Sequence, residues 1–508
     1  MSIPHTKKNI IANFLARFWG FISTYLFIPL YLKFLGIEAY GLVGFFSSLM
    51  GLLVLADMGF TATLNRELAR LSTKKEGNLE MRNLVRTYEL MYFWISLLLI
   101  VLIWFLAPII SEHWLKSSSL HPLVITTAIR IMGIAIAFQL PSGLYFGGLM
   151  GLQLQVRANG IQTAWSIFRG GGTIIILWLV SPTIFAFSIW QLISNIIYCF
   201  VMRVKLWQSL HNTTQIHKPQ FKRTILTSTK RYTIGMAIIA LLSTILIQAD
   251  KIFVSKILSL EMLGYYSIAS ALASLPLMLA NPVSSAIFPQ FTKKIESNDF
   301  SGLVTLYHKT CKLTSIVIIP ASLTLILFAK ELVYAWTTNV TTSSAVSLVT
   351  SLLLVGQLLQ AITLVPFNYL LANGNTKLII TVQIFSIIII TPLLYVLLKK
   401  FGLVGGGISW FLMNVLSLPP YMYFFHKKFL PGEFKNWILH DIGQPFLISL
   451  PIICIGYYFF QTPSSGLLTF IYIGFIWFLS AIATTLSFED LREFIKKIYL
   501  KNKFINES

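Results

Sequence analysis

The sequence predicts an all-α, polytopic membrane protein of about fourteen transmembrane helices, built as two pseudo-symmetric six-helix lobes plus two C-terminal helices. Three observations predict it. Of the 508 residues, 56% are hydrophobic and only 11% are charged, against roughly a quarter charged in soluble domains. Most of the surface must therefore face lipid. The apolar residues gather in runs of about twenty, the length that crosses a ~30 Å hydrocarbon core. The basic residues gather in alternate loops, as they do where one side of a membrane is the cytoplasm.

The first run, 10–35, follows Lys7 and Lys8. It is too long for a signal-peptide core and no small-residue cleavage site closes it, so it reads as the first span. The runs 40–63, 88–110 and 122–147 follow, then 161–180 and 183–203, which only the turn at Ser181 and Pro182 divides. A second series comprises 232–254, 262–288, 312–336, 344–371, 376–398 and 402–425, and two last runs occupy 442–460 and 466–487. With the N-terminus placed in the cytoplasm, about 29 of the 39 Lys and Arg fall on the cytoplasmic side, a bias that supports this parity of spans. The loop 64–87 carries Arg66, Arg70, Lys74, Lys75, Arg82 and Arg86, and the loop after Arg203 carries Lys205, Lys218, Lys222, Arg223, Lys230 and Arg231 with no acid. After the last span, Phe488, Leu491, Phe494, Ile495 and Ile498 recur at helical spacing between Arg492, Lys496 and Lys497. That pattern predicts an amphipathic helix on the inner leaflet, with both termini cytoplasmic. The organisation is thus an N-terminal lobe (1–203), a basic cytoplasmic linker (204–231), a C-terminal lobe (232–425), two added spans within 426–487 and a basic tail (488–508).

The two lobes echo one another. Lys33, Leu35, Glu38 and Gly41 recur as Lys256, Leu258, Glu261 and Gly264, each 223 residues later. Both segments sit at the outer turn between the first and second spans of their half. An even number of spans separates them, so the halves share one orientation, the plan of a transporter with parallel repeats.

Other classes are excluded. The net charge of +21 would suggest nucleic acid on a soluble chain, but no polar domain exists to carry such a module. Cys199, Cys311 and Cys454 lie in or beside apolar runs without C-x-x-C spacing, and read as small buried hydrophobes. The histidines show no ligand spacing, so neither a metal nor a cofactor is expected. There is no phosphate-binding glycine loop, H-E-x-x-H or G-x-S-x-G, and no outer loop is long enough for a catalytic domain, so the chain is not expected to be an enzyme.

Ionisable groups within spans are costly and face a cavity or a partner. Arg17 lies about 10 Å and Arg169 about 12 Å in from the cytoplasmic side, and Arg130 about 12 Å from the outer side. Arginine suits a phosphate because its planar fork donates two parallel hydrogen bonds and keeps its charge inside protein. Arg17, Arg130 and Arg169 are therefore the candidate cationic cavity. Asp57 is a structural partner or coupling group. Asp250 and Lys251 stand near an outer helix end, where long side chains reach the interface. Gly170, Gly171 and Gly172 directly follow Arg169 and either let a neighbour pack closely or leave room in a lumen.

The order Asn13, Pro29, Leu35-Gly36, Tyr40-Gly41 and Asp57-Met58-Gly59, then Gln248-Ala249-Asp250-Lys251, Leu263-Gly264-Tyr265-Tyr266 and Pro366 with Ala372-Asn373-Gly374, resembles the Wzx-type O-antigen flippases of the multidrug/oligosaccharidyl-lipid/polysaccharide superfamily over nearly the whole chain. The resemblance implies a V-shaped two-lobed core with a cationic lumen in the bacterial inner membrane. It implies as partners membrane lipids, other proteins of polysaccharide assembly and a substrate, an oligosaccharide on undecaprenyl diphosphate turned from the cytoplasmic to the periplasmic leaflet. The alternatives are a drug or cation antiporter of the same fold, which would need an acid-rich cavity, and a membrane-embedded glycan polymerase or ligase, which would need a long outer loop.

Overall fold

The structure is a computed structural model that describes residues 5–73, 77–210, 219–461, 466–488 and 492. The side chains of some helical residues, Arg17 and residues 223–236 among them, lie outside that description. So does the expected amphipathic tail, apart from Phe488 and Arg492. Helices dominate the described residues. No strand occurs among them beyond an isolated bridge between Lys116 and Ser259. The chain forms two compact units, Met1–Gly264 and Tyr265–Ser508.

The first unit contains α1 (His5–Asp57), α2 (Phe60–Leu71), α3 (Gly77–Ile109), α4 (Pro122–Gly151), α5 (Gln155–Leu179), α6 (Ile184–Ser209) and α7 (Arg223–Ile257), with α8 (Leu260–Ala273) starting at its end. At 53 residues, α1 is about 80 Å long, far more than one crossing needs. It breaks at Gly36, where φ is 77° and ψ 171°, a conformation essentially reserved for glycine. The break falls between the first two predicted spans. At its far end Met58 (φ 48°) and Gly59 (φ 75°) turn the chain into α2. That helix is amphipathic and buries Leu64, Leu68 and Leu71. The predicted loop 64–87 is therefore mostly helix, with Arg66 and Arg70 on α2 and Arg82 and Arg86 on α3. Hydropathy sees only the apolar part of a helix, and these helices run past the lipid into polar ends. Pro122 and His121, whose Nδ1 accepts from the Leu123 N–H at 3.3 Å, start α4; Thr183 accepts from the Ala186 N–H at 3.3 Å and starts α6.

The second unit contains the rest of α8, then α9 (Leu275–Glu296), α10 (Phe300–Leu327), α11 (Ala329–Thr337), α12 (Val340–Ile362), α13 (Leu364–Ala372), α14 (Thr376–Phe401), α15 (Leu403–Phe429), the short α16 (Phe434–Asn436), a π-helical stretch Trp437–Gly443, α17 (Gln444–Tyr458) and α18 (Gly466–Ser487). Asp299 caps α10 by accepting from the Gly302 N–H at 2.9 Å, and Asn339 caps α12 through the Thr342 N–H at 2.9 Å.

Among the described residues, eleven helical segments are long and apolar enough to cross a membrane. The difference from fourteen has particular causes. Predicted spans 10–35 and 40–63 lie on the one broken helix α1. Span 161–180 lies on α5, whose polar residues dilute its hydropathy. Span 232–254 lies on α7, several of whose side chains lie outside the described residues.

Each unit buries an aromatic-rich core, and the predicted repeat reappears in their packing. Leu64, Leu68, Leu84, Tyr88, Tyr198 and Met202 are buried together in the first unit. The residues 223 positions later, Ile287, Phe291, Tyr307, Cys311, Tyr421 and Phe425, are buried together in the second. One core template has been filled twice with different side chains. The added helices α17 and α18 pack on α10 through Ile453, Ile473, Ile476 and Ile318.

The repeat motif also packs on itself within the first unit. A Cβ on Gly264 would meet the Ile37 carbonyl at 2.5 Å, and a Cβ on Gly41 would collide with the Leu260 carbonyl. Ile37 and Leu260 are again 223 residues apart, so the two motif copies clasp each other reciprocally, glycine to carbonyl. Gly41→Leu is expected to lower thermal stability by about 1–3 kcal/mol, the usual cost of overpacking, read as a lower melting temperature of the detergent-purified protein. An unchanged melting curve would show that the backbones can part there without penalty.

Candidate functional site

Helix α5 carries two chemically opposite faces. Gln155, Asn159, Gln162, Ser166, Arg169 and Thr173 recur every three or four residues and so share one side. Val156, Ile167, Ile175, Trp178 and Leu179 are exposed on the other side, as a lipid-facing surface requires. The polar side lies between α1 and α6, the main neighbours of α5, and Gln162 on it is exposed, so this strip is the candidate crevice.

At one end of this crevice the helices are tied by amides. The Asn13 Nδ2 of α1 donates to the Gln155 Oε1 at 2.7 Å, and the Asn159 Nδ2 donates to the Asn13 Oδ1. Farther along, Thr173 accepts from the Gln191 Nε2 of α6 at 3.1 Å. Between these ties the half-buried Arg169 lays its guanidinium over the Trp165 ring, Cζ 4.4 Å from the centroid. Trp165 itself stacks on Tyr198 of α6, with centroids 4.3 Å apart and planes at 18°. No carboxylate among the described residues forms a salt bridge with Arg169. Its backbone carbonyl accepts from the Thr173 hydroxyl at 2.6 Å and from the Trp190 Nε1 at 3.1 Å.

The three glycines after Arg169 have separate explanations. A Cβ on Gly170 would strike the Phe27 ring of α1, and one on Gly172 would strike the Trp190 ring of α6; Gly171 faces open space. Two of the three are therefore close-packing positions.

The other predicted residues lie elsewhere. Arg17 is one helical turn beyond Asn13 on α1, and its side chain is outside the described residues. Arg130 on α4 stacks over Trp104 of α3, Cζ 4.6 Å from the ring centroid, with its Nε 3.4 Å from the Trp104 carbonyl. Trp104 is 45% exposed, so Arg130 stands beside a ring at the protein surface and shares none of the neighbours of Arg169. Asp57, at the end of α1, forms no salt bridge with an arginine among the described residues; it accepts hydrogen bonds from Thr61 and from the Tyr92 hydroxyl of α3, at the turn into α2. Asp250 is buried and accepts from the Lys251 N–H at 2.7 Å, while Lys251 is half-buried.

Hydropathy gave no weight to Glu89, because it stands at the very start of a predicted span. It is buried on α3 and gathers donors from three helices. Arg203 Nε of α6 lies at 2.6 Å, Arg86 Nη1 at 2.8 Å, the Tyr145 hydroxyl of α4 at 2.8 Å and the Trp207 Nε1 at 3.3 Å. The i,i+3 pair Arg86–Glu89 was the signal available in the sequence. A shallow cavity of about 420 Å³ opens beside it, lined by Arg203, Val204, Trp207 and Gln208. In the second unit His308 sits between Asp441 (2.6 Å) and Glu433 (3.0 Å), joining α10 to the segment before α17.

The family described as "Polysaccharide biosynthesis protein" matches residues 6–295, and the family MatE matches residues 235–396. The chain is similar to the "Putative O-antigen transporter" of Shigella flexneri, 22% identical over 428 residues that span 80% of this chain and 96% of that one. It is similar to the "Lipopolysaccharide biosynthesis protein WzxC" of Escherichia coli K12, 20% identical over 371 residues, 72% of this chain and 70% of that one. Among solved structures it shares the fold of the lipid II flippase MurJ in an inward closed conformation, with a TM-score of 0.73 at 18% identity over 96% of this chain and 99% of that chain. It also shares the fold of an inward-facing multidrug resistance MATE transporter, with a TM-score of 0.67 at 13% identity over 82% of this chain and 96% of that chain.

Replacing Glu89 with Ala would leave Tyr145, Arg203 and Arg86 without their acceptor. Both arginines are more than a third exposed, so water recovers part of the loss. A destabilisation of about 2 kcal/mol is expected, read by thermal melting, with Glu89→Gln falling between it and the wild type. Equal melting temperatures for all three would show that the cluster holds nothing together.

Proposed function

The chain belongs to the polysaccharide biosynthesis protein family, and we propose that it is a flippase for an oligosaccharide linked to undecaprenyl diphosphate, an O-antigen or similar repeat unit. Transport runs from the cytoplasmic to the periplasmic leaflet of the bacterial inner membrane. The observation that carries this reading is Arg169: a guanidinium on the polar strip of α5, with aromatic neighbours and, among the described residues, no carboxylate in a salt bridge with it. Desolvating a charge without a partner is expensive, and an anionic cargo offsets that cost when it arrives. The stack of Arg169, Trp165 and Tyr198 limits the rotamers open to the side chain, so less freedom is lost when its fork meets a diphosphate. The names of the curated relatives support the cargo class.

In this mechanism the diphosphate leaves the headgroup layer for the crevice while the polyprenyl tail stays in lipid. Arg17, one helical turn beyond Asn13 along α1, is assigned as a second cation for the diphosphate. Arg130 is assigned to the protein surface and takes no part in the crevice. The lobes 1–203 and 232–425, joined by the linker 204–231, alternate access by rocking. Asp57 holds the α1–α2 turn and is assigned a structural role.

The match of residues 235–396 to MatE favours a second reading, an antiporter for drugs or cations. A cation site needs acceptors, and the described crevice presents an arginine instead.

A strain lacking this protein should lose its surface polysaccharide and accumulate the lipid-linked unit in the inner leaflet. Arg169→Ala, at normal membrane abundance, should cut surface polysaccharide by tenfold or more, and Arg169→Lys should restore part of it, because lysine keeps the charge but loses the fork. Wild-type polysaccharide in the Arg169→Ala strain would overturn the reading.

A further inference from the structure

On the polar side of α5, hydrogen bonding is uneven. Asn159 and Thr173 are buried and bonded to neighbouring helices, and Gln155 is bonded to Asn13. Gln162 and Ser166 lie between them in the same sector, yet among the described residues neither side chain makes a hydrogen bond. Gln162 is exposed and Ser166 half-buried. Helix cohesion does not use them, since the ties to α1 and α6 are made above and below. Lipid does not face them either, because the lipid face of α5 is the opposite one. Gln162 stands at the start of the predicted span 161–180 and Ser166 about one turn inside it, so this stretch meets water near the cytoplasmic boundary and is open to a hydrogen-bonding ligand.

We propose that Gln162 and Ser166 form a sugar-binding step beside Arg169, taking the hydroxyl groups of the first pyranose of the cargo. The proposal rests on the flippase reading above and adds to it the part of the protein that reads carbohydrate. A glutamine amide offers donors and an acceptor side by side, and a serine hydroxyl offers both functions in one atom, which matches the paired hydroxyls of a pyranose. The positions also fit. Ser166 stands about 4.5 Å and Gln162 about 10 Å along the helix axis from Arg169, the scale of a diphosphate followed by one sugar ring. With the diphosphate at Arg169, the sugars run toward the end of α5 where the chain enters it. In the predicted topology that is the cytoplasmic mouth, where the rest of the oligosaccharide stays in water.

The test uses the purified full-length protein in detergent and two probes: a short polyprenyl diphosphate bearing one N-acetylhexosamine, and the same polyprenyl diphosphate without sugar. Binding is read by the fluorescence of Trp165 and its neighbours, and folding by thermal melting. Gln162→Leu combined with Ser166→Ala is expected to weaken binding of the sugar-bearing probe about tenfold and to change binding of the bare diphosphate less than twofold, with an unaltered melting temperature. Arg169→Ala is expected to weaken both probes alike. If the double variant binds both probes as the wild type does, or weakens both equally, the sugar step is overturned. If Arg169→Ala leaves both probes unaffected, the phosphate anchor fails, and the two probes still report separately on Gln162 and Ser166.

Discussion

A lipid bilayer supplies no hydrogen bonds, and that constraint organises this molecule. Every backbone group must be satisfied within its own helix, which is why helices account for nearly all of the described chain. Every polar side chain must find a partner, an interface or water. Glu89 finds four donors, Asp57 finds two hydroxyls, and Asn13 finds Gln155 and Asn159. Against that background, the polar groups left unbonded among the described residues, such as Gln162 and Ser166, stand out from those that hold helices together.

Helix α5 shows how one element serves both demands. Its apolar face lies toward lipid, and glycines at 170 and 172 let Phe27 and Trp190 press against its backbone. Close approach on both flanks leaves a narrow polar strip between α1 and α6. Arg169 sits in that strip on an aromatic platform that contributes packing and a cation–π contact. The same residues thus shape the crevice and position its charge.

The duplication adds a second layer of economy. Buried positions recur at one offset in both units, although Leu84 is matched by Tyr307 and Met202 by Phe425. Cores tolerate such exchanges when total volume is conserved. The polar positions have diverged further. Arg203, which binds Glu89, is replaced at the same offset by His426, which meets the Tyr307 hydroxyl at 3.1 Å. The scaffold was kept while the chemistry of each unit went its own way.

Composition, run length and loop charge were enough to determine a polytopic helical membrane protein, because lipid enforces them locally and one residue at a time. The repeat was legible for a similar reason: Gly41 meets the Leu260 carbonyl and Gly264 the Ile37 carbonyl, and a side chain at either position would collide. Arg169 could be singled out as a charge within a span. Its separation from Arg130 could not, since depth along a helix says nothing of which face a neighbour covers. Glu89 stands at the edge of an apolar run and the arginines of 64–87 lie beyond it on α2 and α3, where hydropathy ends before the helix does. Only the tertiary structure decided which polar groups are consumed by helix packing and which remain open. That distinction depends on contacts between α1, α5 and α6, which are distant in sequence and meet only when the unit folds.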